Sequence, residues 1–363
     1  MVATIDSTPR ADGFRMPGEF EAHAGTWMLW PQRPDGWRLG AKPAQRAWVE
    51  LATTIARFEP VTVGVNHDQF LNARGRLPPH IRVLELSSDD AWIRDSGPSF
   101  LVNEEGEVRA VDWHFNSWGQ IGLAAWDRDD MVARKICEVE GVDRCRAPLV
   151  MEGGSFHVDG EGTVLTTEEC LLNPNRNPEL SKQQIEHYLF EYLNAETIIW
   201  LGRGLDPDVT SGHVDDVAFF VRPGVVAVAW TDDPSDHRRE ILVENYERLR
   251  NVTDARERRL EIHKIPLPAE VVITEEEASG IDVVEGTLPL EAGFSQAATY
   301  INSYLCNGAV IMPTFDDPCD EPARRALQDL FPERTVVPVP SREIILAGGN
   351  IHCVTQQVPL GSR

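Results

Sequence analysis

The chain has 363 residues, of which 42% are hydrophobic and 25% charged, and its 34 basic and 58 acidic side chains give a formal net charge of −24. This composition is that of an ordinary globular protein and excludes a chain that is disordered throughout. The strong negative charge disfavours nucleic acid and anionic membrane surfaces as partners, and it favours small cationic substrates.

Helical and strand patterns alternate along the chain. A helix is predicted to begin at Pro43, because Trp48, Leu51, Ile55 and Phe58 recur at helical spacing. Further helices are predicted at residues 127–140, after a capping box at 181–184, at 236–250 and at 321–331. Strands are predicted at 61–65, 81–86, 197–201, 309–315 and 335–340, and hairpins join 155–158 to 163–166 and 217–221 to 225–230.

The recurrence of these elements indicates a repeated architecture. Strand–hairpin–helix units return every ~60 residues without visible sequence identity between them. No Pro/Ser-rich linker or low-complexity tract divides the sequence. The simplest interpretation is a single α/β domain that spans residues 1–363.

The cysteines and the N-terminal segment indicate the compartment. The six cysteines are irregularly spaced and form no C-x-x-C pair, so neither a disulfide framework nor a metal site is predicted. Residues 1–20 lack the apolar core of a secretory signal, and the longest strongly apolar run, 225–230, is too short to span a membrane. We therefore predict a cytoplasmic protein with reduced thiols.

The most informative segment is GGNIHCVT at residues 348–355. Its glycines let the backbone approach another group closely, after stretches at 336–340 and 343–346 that are predicted to be extended. Cys353 can act as a nucleophile there if a nearby cation or N–H donors lower its pKa. A buried structural cysteine is the alternative. His352, in an extended run, is expected to point away from Cys353 and to be packed or hydrogen-bonded.

Three other segments contribute a histidine and acids. His213 and Asp215 are two residues apart, so in an extended run both face the same side, and a histidine beside a carboxylate can act as a general acid and base. Trp92 and Asp95 flank a turn and offer an aromatic face and a carboxylate to a planar cation. Glu152 precedes two glycines at the start of a hairpin. For each segment alone, an ordinary structural role remains open.

Together these residues favour covalent catalysis at a positively charged carbon centre. The set contains a cysteine, a histidine and several acids, without a lysine or metal-ligand spacing. The sequence also lacks G-x-x-x-x-G-K-[ST], G-x-G-x-x-G, H-E-x-x-H and G-x-S-x-G. Nucleotide-binding, zinc-protease and serine-hydrolase functions therefore lack support.

These segments resemble a known family, the agmatine deiminases of the guanidino-group-modifying superfamily. The matching stretches are 92–95 with 97–98, 149–154, 165–177, 212–215, 230–233 and 348–357. The resemblance covers about 15–358, nearly the whole chain. It implies a five-bladed α/β propeller of ββαβ modules around a central active site, and a homodimer or homotetramer.

The resemblance also implies a reaction and its residues. The reaction is hydrolysis of agmatine to N-carbamoylputrescine and ammonia, a step of polyamine and putrescine biosynthesis, without metal or organic cofactor. Cys353 would attack the guanidinium carbon, and His213 would protonate the departing ammonia and then activate water. Asp95 and Asp215 would each hold guanidinium nitrogens, and Glu152 would orient His213.

Around this centre the resemblance implies a substrate pocket. Trp92 would form one wall, with backbone contacts from Thr210 and Gly348, while Trp118 and Trp126 are candidates either for the pocket lining or for the core. The acids around Cys353 are expected to raise the pKa of its thiol, so that bound cationic substrate or protonated His213 helps to form the thiolate.

Several positions depart from the family pattern and leave the substrate open. None belongs to the implied catalytic set, and some are expected at the pocket mouth, where the loss of an acid at position 211 weakens the case for an ammonium tail. Three alternatives follow: a deiminase of another guanidino compound, an amidinotransferase, or a binding module without catalysis. The departing residues are Ser211, Gln120, Ala124, Ala125, Phe294, Ser295 and Asp216.

Overall fold

The structure is a computed structural model. It describes residues 2–288 and 290–361, and Met1, Pro289, Ser362 and Arg363 lie outside the described residues. The strands are β1 (His23–Leu29), β2 (Val61–Val65), β3 (Arg82–Glu85), β4 (Ser99–Val102), β5 (Val108–His114), β6 (Arg144–Val150), β7 (Phe156–Val158), β8 (Thr163–Thr167), β9 (Thr197–Leu201), β10 (Ala218–Arg222), β11 (Val225–Trp230), β12 (Glu261–Pro266), β13 (Val271–Val272), β14 (Ser295–Gln296), β15 (Tyr304–Cys306), β16 (Ala309–Thr314), β17 (Thr335–Pro340) and β18 (Gln356–Pro359).

Helices connect most of these strands. They are α1 (Lys42–Ile55), α2 (Phe70–Arg76), α3 (Ile93–Ser96), α4 (Ser117–Gln120), α5 (Val132–Glu140), α6 (Glu168–Leu171), α7 (Lys182–Leu193), α8 (Arg239–Arg250), α9 (Glu275–Ser279), α10 (Asp320–Leu330) and α11 (Arg342–Ile345). Short 3₁₀ turns lie at His67–Gln69, Asp129–Met131, Gly153–Ser155 and Val214–Asp216. No helix within residues 2–288 and 290–361 is long and apolar enough to cross a membrane.

The strands form a repeated sheet unit. The described residues contain five sheets, ordered β18-β1-β2-β3, β4-β5-β6, β7-β8-β9, β10-β11-β12 and β15-β16-β17, and a small β13-β14 pair. In each of the five, the first two strands are antiparallel and the following ones are parallel. Each parallel crossover contains a helix, as such connections require. The recurring unit expected from the sequence is thus present in a mixed α/β fold.

Most predicted elements are confirmed, with ends shifted by a few residues. Helix α1 buries Trp48, Leu51 and Ile55 against the first sheet, and the Trp48 indole donates to the Leu29 carbonyl at 2.7 Å. Ser181 caps α7 in the predicted capping box. Both predicted hairpins pair antiparallel. The helix expected at 127–140 begins instead as a 3₁₀ turn that leads into α5.

The prediction of an extended run at 343–346 is wrong, because α11 occupies it. The N–H groups of Ile344 and Ile345 both donate to the Ser341 carbonyl, which closes a helical turn. Arg342 on this turn pairs with Glu277, and both isoleucines are buried. Tertiary contacts therefore override the strand preference of two consecutive β-branched residues.

Candidate active site

The predicted site residues come from equivalent places in the repeated sheets. Asp95 lies in α3 just before β4, Glu152 precedes the turn that leads into β7, and His213 precedes the turn that leads into β10. Asn302 precedes β15 and Cys353 precedes β18. Each of these strands is the first in its sheet. The repeat thus delivers one segment per sheet to a common place.

The five residues implied as catalytic meet at that place. The His213 Nδ1 atom lies 3.9 Å from Asp95 Oδ1 and 4.0 Å from Asp215 Oδ1, and its Nε2 lies 3.5 Å from Glu152 Oε2. Cys353 Sγ lies 3.6 Å from Asp215 Oδ2. All five side chains are buried, Cys353 being the most accessible at 5%. The arrangement can therefore hold a small cation between a thiol, an imidazole and two carboxylates.

His213 and Asp215 reach the same side for a reason other than the predicted one. The chain is not extended there, because Val214–Asp216 forms a 3₁₀ turn that directly follows His213. Gly154 faces both residues, and a Cβ atom at this glycine would lie 2.6 Å from His213 Nδ1 and 2.9 Å from Asp95 Oδ1. The second glycine after Glu152 therefore lets the acids and the histidine approach one another.

Charges around His213 keep it protonated. Burial by itself lowers the pKa of His213, but the charge of Asp95 and contacts with Cys170 and Glu152 raise it well above its ordinary value. Glu152 Oε1 accepts from Arg176 Nε at 2.9 Å, and Arg176 is the cation that lowers the pKa of Glu152 against the effect of burial. An ionised Glu152 behind a protonated His213 suits the role of orienting a general acid.

The two carboxylates that face the substrate side differ in environment. Burial raises the pKa of Asp95 to about 6, helped by the charges of Asp215 and Glu152. Its oxygens accept from the Gly154 N–H at 3.0 Å and from the Trp118 indole at 2.8 Å. Asp215 is also buried, yet its pKa is lowered, chiefly by His352. Asp215 is therefore the carboxylate that stays ionised at lower pH.

The expectation for the thiol agrees with the structure. Burial and then the charges of Asp215, Asp216 and Asp95 raise the pKa of Cys353 well above its usual range. Asn302 Nδ2 lies 3.2 Å from Sγ and is placed to donate to it. The free enzyme therefore holds Cys353 mainly as a thiol at neutral pH, and a bound cation would favour the thiolate.

This protonation state predicts slow alkylation. We expect the rate of Cys353 modification by iodoacetamide to be low at neutral pH and to keep rising beyond pH ~8.5, the ordinary value for a cysteine. Peptide mass spectrometry would measure labelling at Cys353 against the partly exposed Cys319 as the reference thiol. Full reactivity of Cys353 at pH 6 without ligand would contradict the assignment.

Of the five residues implied as catalytic, Asp95 and Cys353 line one end of a pocket of ≈ 610 Å³. The implied substrate-binding residues Trp92, Trp118, Asp95, Thr210 and Gly348 all line it, together with Cys353. The two indoles meet edge to face with ring centroids 6.5 Å apart. Gly348 has φ of 104°, and a Cβ atom there would lie 2.7 Å from Val209, so glycine suits this position. Asp215 reaches the same end through its contact with Cys353.

The residues that depart from the family pattern differ in their position relative to the pocket. Asp216 lines the pocket and accepts from Asn302 Nδ2 at 3.0 Å, so this departure lies at the pocket although it is outside the implied catalytic set. Ser211 contacts Asn175 instead. Phe294 packs on the cluster that contains Leu290, a pocket-lining residue. The other departing residues do not line the pocket: Gln120, Ala124, Ala125 and Ser295.

Several buried residues of the site escaped the sequence analysis. Glu19, Asn302 and Arg176 touch the implied catalytic residues or their neighbours, and Glu19 and Asn302 stand in segments without a recognisable pattern. His352 is hydrogen-bonded, as expected, but residues 351–354 form a turn rather than an extended run, and its ring contacts Asp215. Arg176 belongs to the NPNRN stretch that supported the resemblance, which was the available signal.

Two buried groups of three residues bring metal-ligating atoms within 4.8 Å of one another: Glu152, Cys170 and His213, and Glu19, His157 and His352. In the first, Glu152 is paired with Arg176. In the second, His352 bonds carboxylates on both sides and Arg94 lies beside it. An adjacent guanidinium opposes a second cation, so we assign both groups to hydrogen-bonded networks.

The Glu152–Arg176 pair is predicted to be essential for stability. Both side chains are fully buried, so Arg176→Met would remove the guanidinium that pairs with Glu152 Oε1 and lower the free energy of unfolding by about 3–5 kcal/mol. Urea unfolding would measure this loss. Arg250→Met is the control, because the Arg250–Glu247 pair is exposed and worth below about 1 kcal/mol. Equal losses in the two variants would contradict the prediction.

Comparisons with known proteins agree on one family. The model for Porphyromonas-type peptidyl-arginine deiminases matches residues 15–359. An agmatine deiminase of Pseudomonas aeruginosa (strain LESB58) is 55% identical and covers 97% of each chain, and one of Pseudomonas fluorescens is 53% identical over the whole of both chains. The structure of the agmatine deiminase of Enterococcus faecalis superimposes with a TM-score of 0.97 at 49% identity, covering 99% of this chain and 100% of that one. The resemblance inferred from the sequence is confirmed: the chain belongs to the agmatine deiminases within the Porphyromonas-type peptidyl-arginine deiminase family.

Proposed function

We propose that this protein hydrolyses agmatine to N-carbamoylputrescine and ammonia through an amidino-cysteine intermediate. The observation that carries the proposal is the buried meeting of the Cys353 thiol, the His213 imidazole and the carboxylates of Asp95 and Asp215. The similar proteins of Pseudomonas and Enterococcus faecalis are named agmatine deiminases. A solved Campylobacter jejuni agmatine deiminase with substrate bound, 25% identical, has the same fold with a TM-score of 0.82.

The first half of the reaction forms the intermediate. Asp95 and Asp215 hold the guanidinium nitrogens, which restrains the group and places its carbon next to Cys353. When the cationic substrate binds, the Cys353 thiol loses its proton to solvent, because His213 is already protonated. The thiolate then forms a C–S bond to the guanidinium carbon, and His213 gives its proton to the leaving nitrogen, so that ammonia departs. The product of this half is an S-linked amidinium on Cys353, whose positive charge the two carboxylates stabilise.

The second half restores the enzyme. His213, now neutral, takes a proton from the attacking water, which adds to the amidinium carbon. The C–S bond then breaks, the second proton of the water passes to the departing Cys353 sulfur and restores the thiol, and the carbon keeps the water oxygen as a ureido group. In sum one water is consumed and one ammonia released, and Glu152 holds the His213 ring in place throughout.

The outer end of the pocket suits an aliphatic cation. Leu288 and Leu290 line the pocket, and they also line a neighbouring surface cavity, so they mark its outer end. Asp35 lines both cavities as well, and one of its oxygens accepts from Arg33 Nε at 3.0 Å. We propose that the carbon chain of agmatine passes the tryptophans and these leucines, with its ammonium group near Asp35.

The same proposal includes the architecture and the assembly. The five sheets of one repeated design support a five-bladed α/β propeller formed by a single domain, with the site at its centre. A homodimer or homotetramer is proposed on the family resemblance. The six free thiols support a reducing compartment such as the cytoplasm.

The test is ammonia release and product mass with agmatine, arginine and other small guanidines. Agmatine turnover to a ureido product, in which oxygen replaces one imino group, is the expected result. Turnover of another guanidine instead would assign a different substrate to the same chemistry. Transfer of the amidino group to an added amine would indicate an amidinotransferase, and binding without turnover would indicate a non-catalytic module.

A further inference from the structure

The His352 ring lies between two buried carboxylates. Its Nδ1 atom is 2.7 Å from Asp215 Oδ2, and its Nε2 atom is 2.9 Å from Glu19 Oε2. All three residues are at least nine-tenths buried. Nothing in the motif analysis gave Glu19 a role, and it stands 333 positions away from His352 in the chain. The contact therefore joins the N-terminal segment to the segment of the nucleophile.

The hydrogen bonds fix the charge of this ring. Glu19 also accepts from the Leu305 N–H at 2.8 Å and from Arg94 Nη2 at 3.1 Å, so its carboxylate is held ionised. Ionised carboxylates only accept hydrogen bonds, and each ring nitrogen of His352 faces one. Both nitrogens must then carry protons, which makes His352 an imidazolium.

The surrounding charges agree with this assignment. Burial and the nearby Arg94 lower the pKa of His352, but Glu19 and Asp215 outweigh them and raise it. Burial lowers the pKa of the neighbouring His157 to about 4, so this second ring, 6.2 Å away between centroids, stays neutral. Of these two neighbouring rings, His352 is thus the imidazolium and His157 the neutral one.

The contact with His352 leaves one carboxylate oxygen of Asp215 without a hydrogen-bond partner. Asp215 Oδ2 is occupied by His352, whereas Oδ1 is buried without a hydrogen-bond partner and lies 4.0 Å from His213 Nδ1. The backbone N–H of His352 also donates to Asn302 Oδ1 at 2.9 Å, and Asn302 Nδ2 in turn contacts Cys353 Sγ. The ring and the backbone of His352 therefore position two reacting groups at once.

We infer that His352 and Glu19 are positioning residues: Glu19 holds His352 as a permanent imidazolium, and His352 holds Asp215 ionised and turned so that Oδ1 meets the substrate guanidinium. This inference deepens the proposed function and rests on it for the identity of the ligand. The state of the His352 ring itself does not depend on the substrate, so the two can fail separately.

Nitrogen-15 NMR of histidine-labelled protein tests the ring state without turnover. We expect two buried histidines to keep both ring nitrogens protonated above the ordinary pKa of about 6.5, with one signal lost in His352→Gln and the other in His213→Gln. Glu19→Gln should lower the pKa of the His352 ring. Glu21→Gln, which removes a carboxylate from the same segment, is the control and should leave the ring unchanged. Titration of His352 at its ordinary pKa in the unmodified protein would overturn the inference.

Substrate binding against pH tests the consequence for Asp215. In a Cys353→Ser background, which removes turnover, calorimetry would measure the Kd of agmatine or of whichever guanidine the panel identifies. Adding His352→Gln should raise the pKa of Asp215, so that binding weakens roughly tenfold at pH 6 and recovers toward pH 8.5. On the acid side of the profile, binding by this variant should require the protein to lose one more proton than binding without the His352 substitution.

A purely structural role gives a different pattern. It would weaken binding by the same factor at every pH, and that outcome would overturn the inference even with the fold intact by circular dichroism. Glu19→Gln is the milder second variant, because it keeps the side-chain shape, and it should show a smaller shift in the same direction. If no guanidine binds at any pH, the proposed function fails, while the NMR result still decides the state of His352.

Discussion

Replacement of Cys353 by serine is expected to lower kcat by at least about 10⁴-fold, the largest effect of any substitution in the chain. In the proposed mechanism the thiol forms the bond to the guanidinium carbon, and its Sγ lies 3.6 Å from Asp215 and in contact with Asn302. A serine hydroxyl fits the same space but ionises far less readily among three buried acids. Bound substrate that helps a thiol to ionise would not suffice for an alcohol.

The measurement is ammonia release together with intact-protein mass after brief exposure to substrate. The unmodified protein should carry a transient amidino adduct on Cys353, and the serine variant should carry none while still binding substrate. Cys319→Ser is the matched control, because Cys319 lies on the partly exposed start of α10, away from the pocket, and its activity should stay unchanged. Retention of a tenth of the turnover by the Cys353 variant would contradict a covalent mechanism.

The local part of the fold could be predicted from the sequence, because it depends on local signals. The capping box at Ser181 and the apolar spacing around Trp48 specify helices through neighbouring residues alone, and both helices are present. For residues 343–346 the sequence predicted an extended run, but the structure has a helical turn there. Their helical turn depends on Arg342 reaching Glu277, 65 positions away, and no pattern within the segment reveals that contact.

The same distinction applies to the site. Cys353, His213, Asp95, Asp215 and Glu152 stand in dense, unusual motifs, so the sequence could single them out before any contact was known. Their mutual approach requires the repeat that brings one segment from each sheet to the same place.

The supporting residues could not be predicted in this way. Glu19 and Asn302 are ordinary polar residues in unremarkable segments, and only three-dimensional neighbours give them a role. Glu19 meets His352 and Arg94, while Asn302 meets Cys353 and Asp216. A sequence therefore reveals the groups that react more readily than the groups that hold them.

His213→Gln is expected to cause the second largest loss, about 10³- to 10⁴-fold in kcat, the size of a missing general acid and base. The raised pKa of His213 keeps the ring protonated at neutral pH, so it can give a proton to the leaving ammonia, and a glutamine amide cannot. Activity of the unmodified protein should accordingly fall as the pH rises through that raised pKa. The residual activity of the His213→Gln variant should not show this alkaline decline.

Proton donation precedes release of ammonia, so the His213→Gln variant should be blocked before the amidino adduct forms. Rapid acid quenching and protein mass would detect the adduct, and ammonia release would give kcat. His187→Gln, at an exposed position on α7, is the control and should retain full activity. Accumulation of the adduct in His213→Gln would show that another group protonates the ammonia and that His213 serves only the attack of water. In that case Asp95, which lies 3.9 Å from His213 and whose pKa burial raises to about 6, would be the next group to test as the donor.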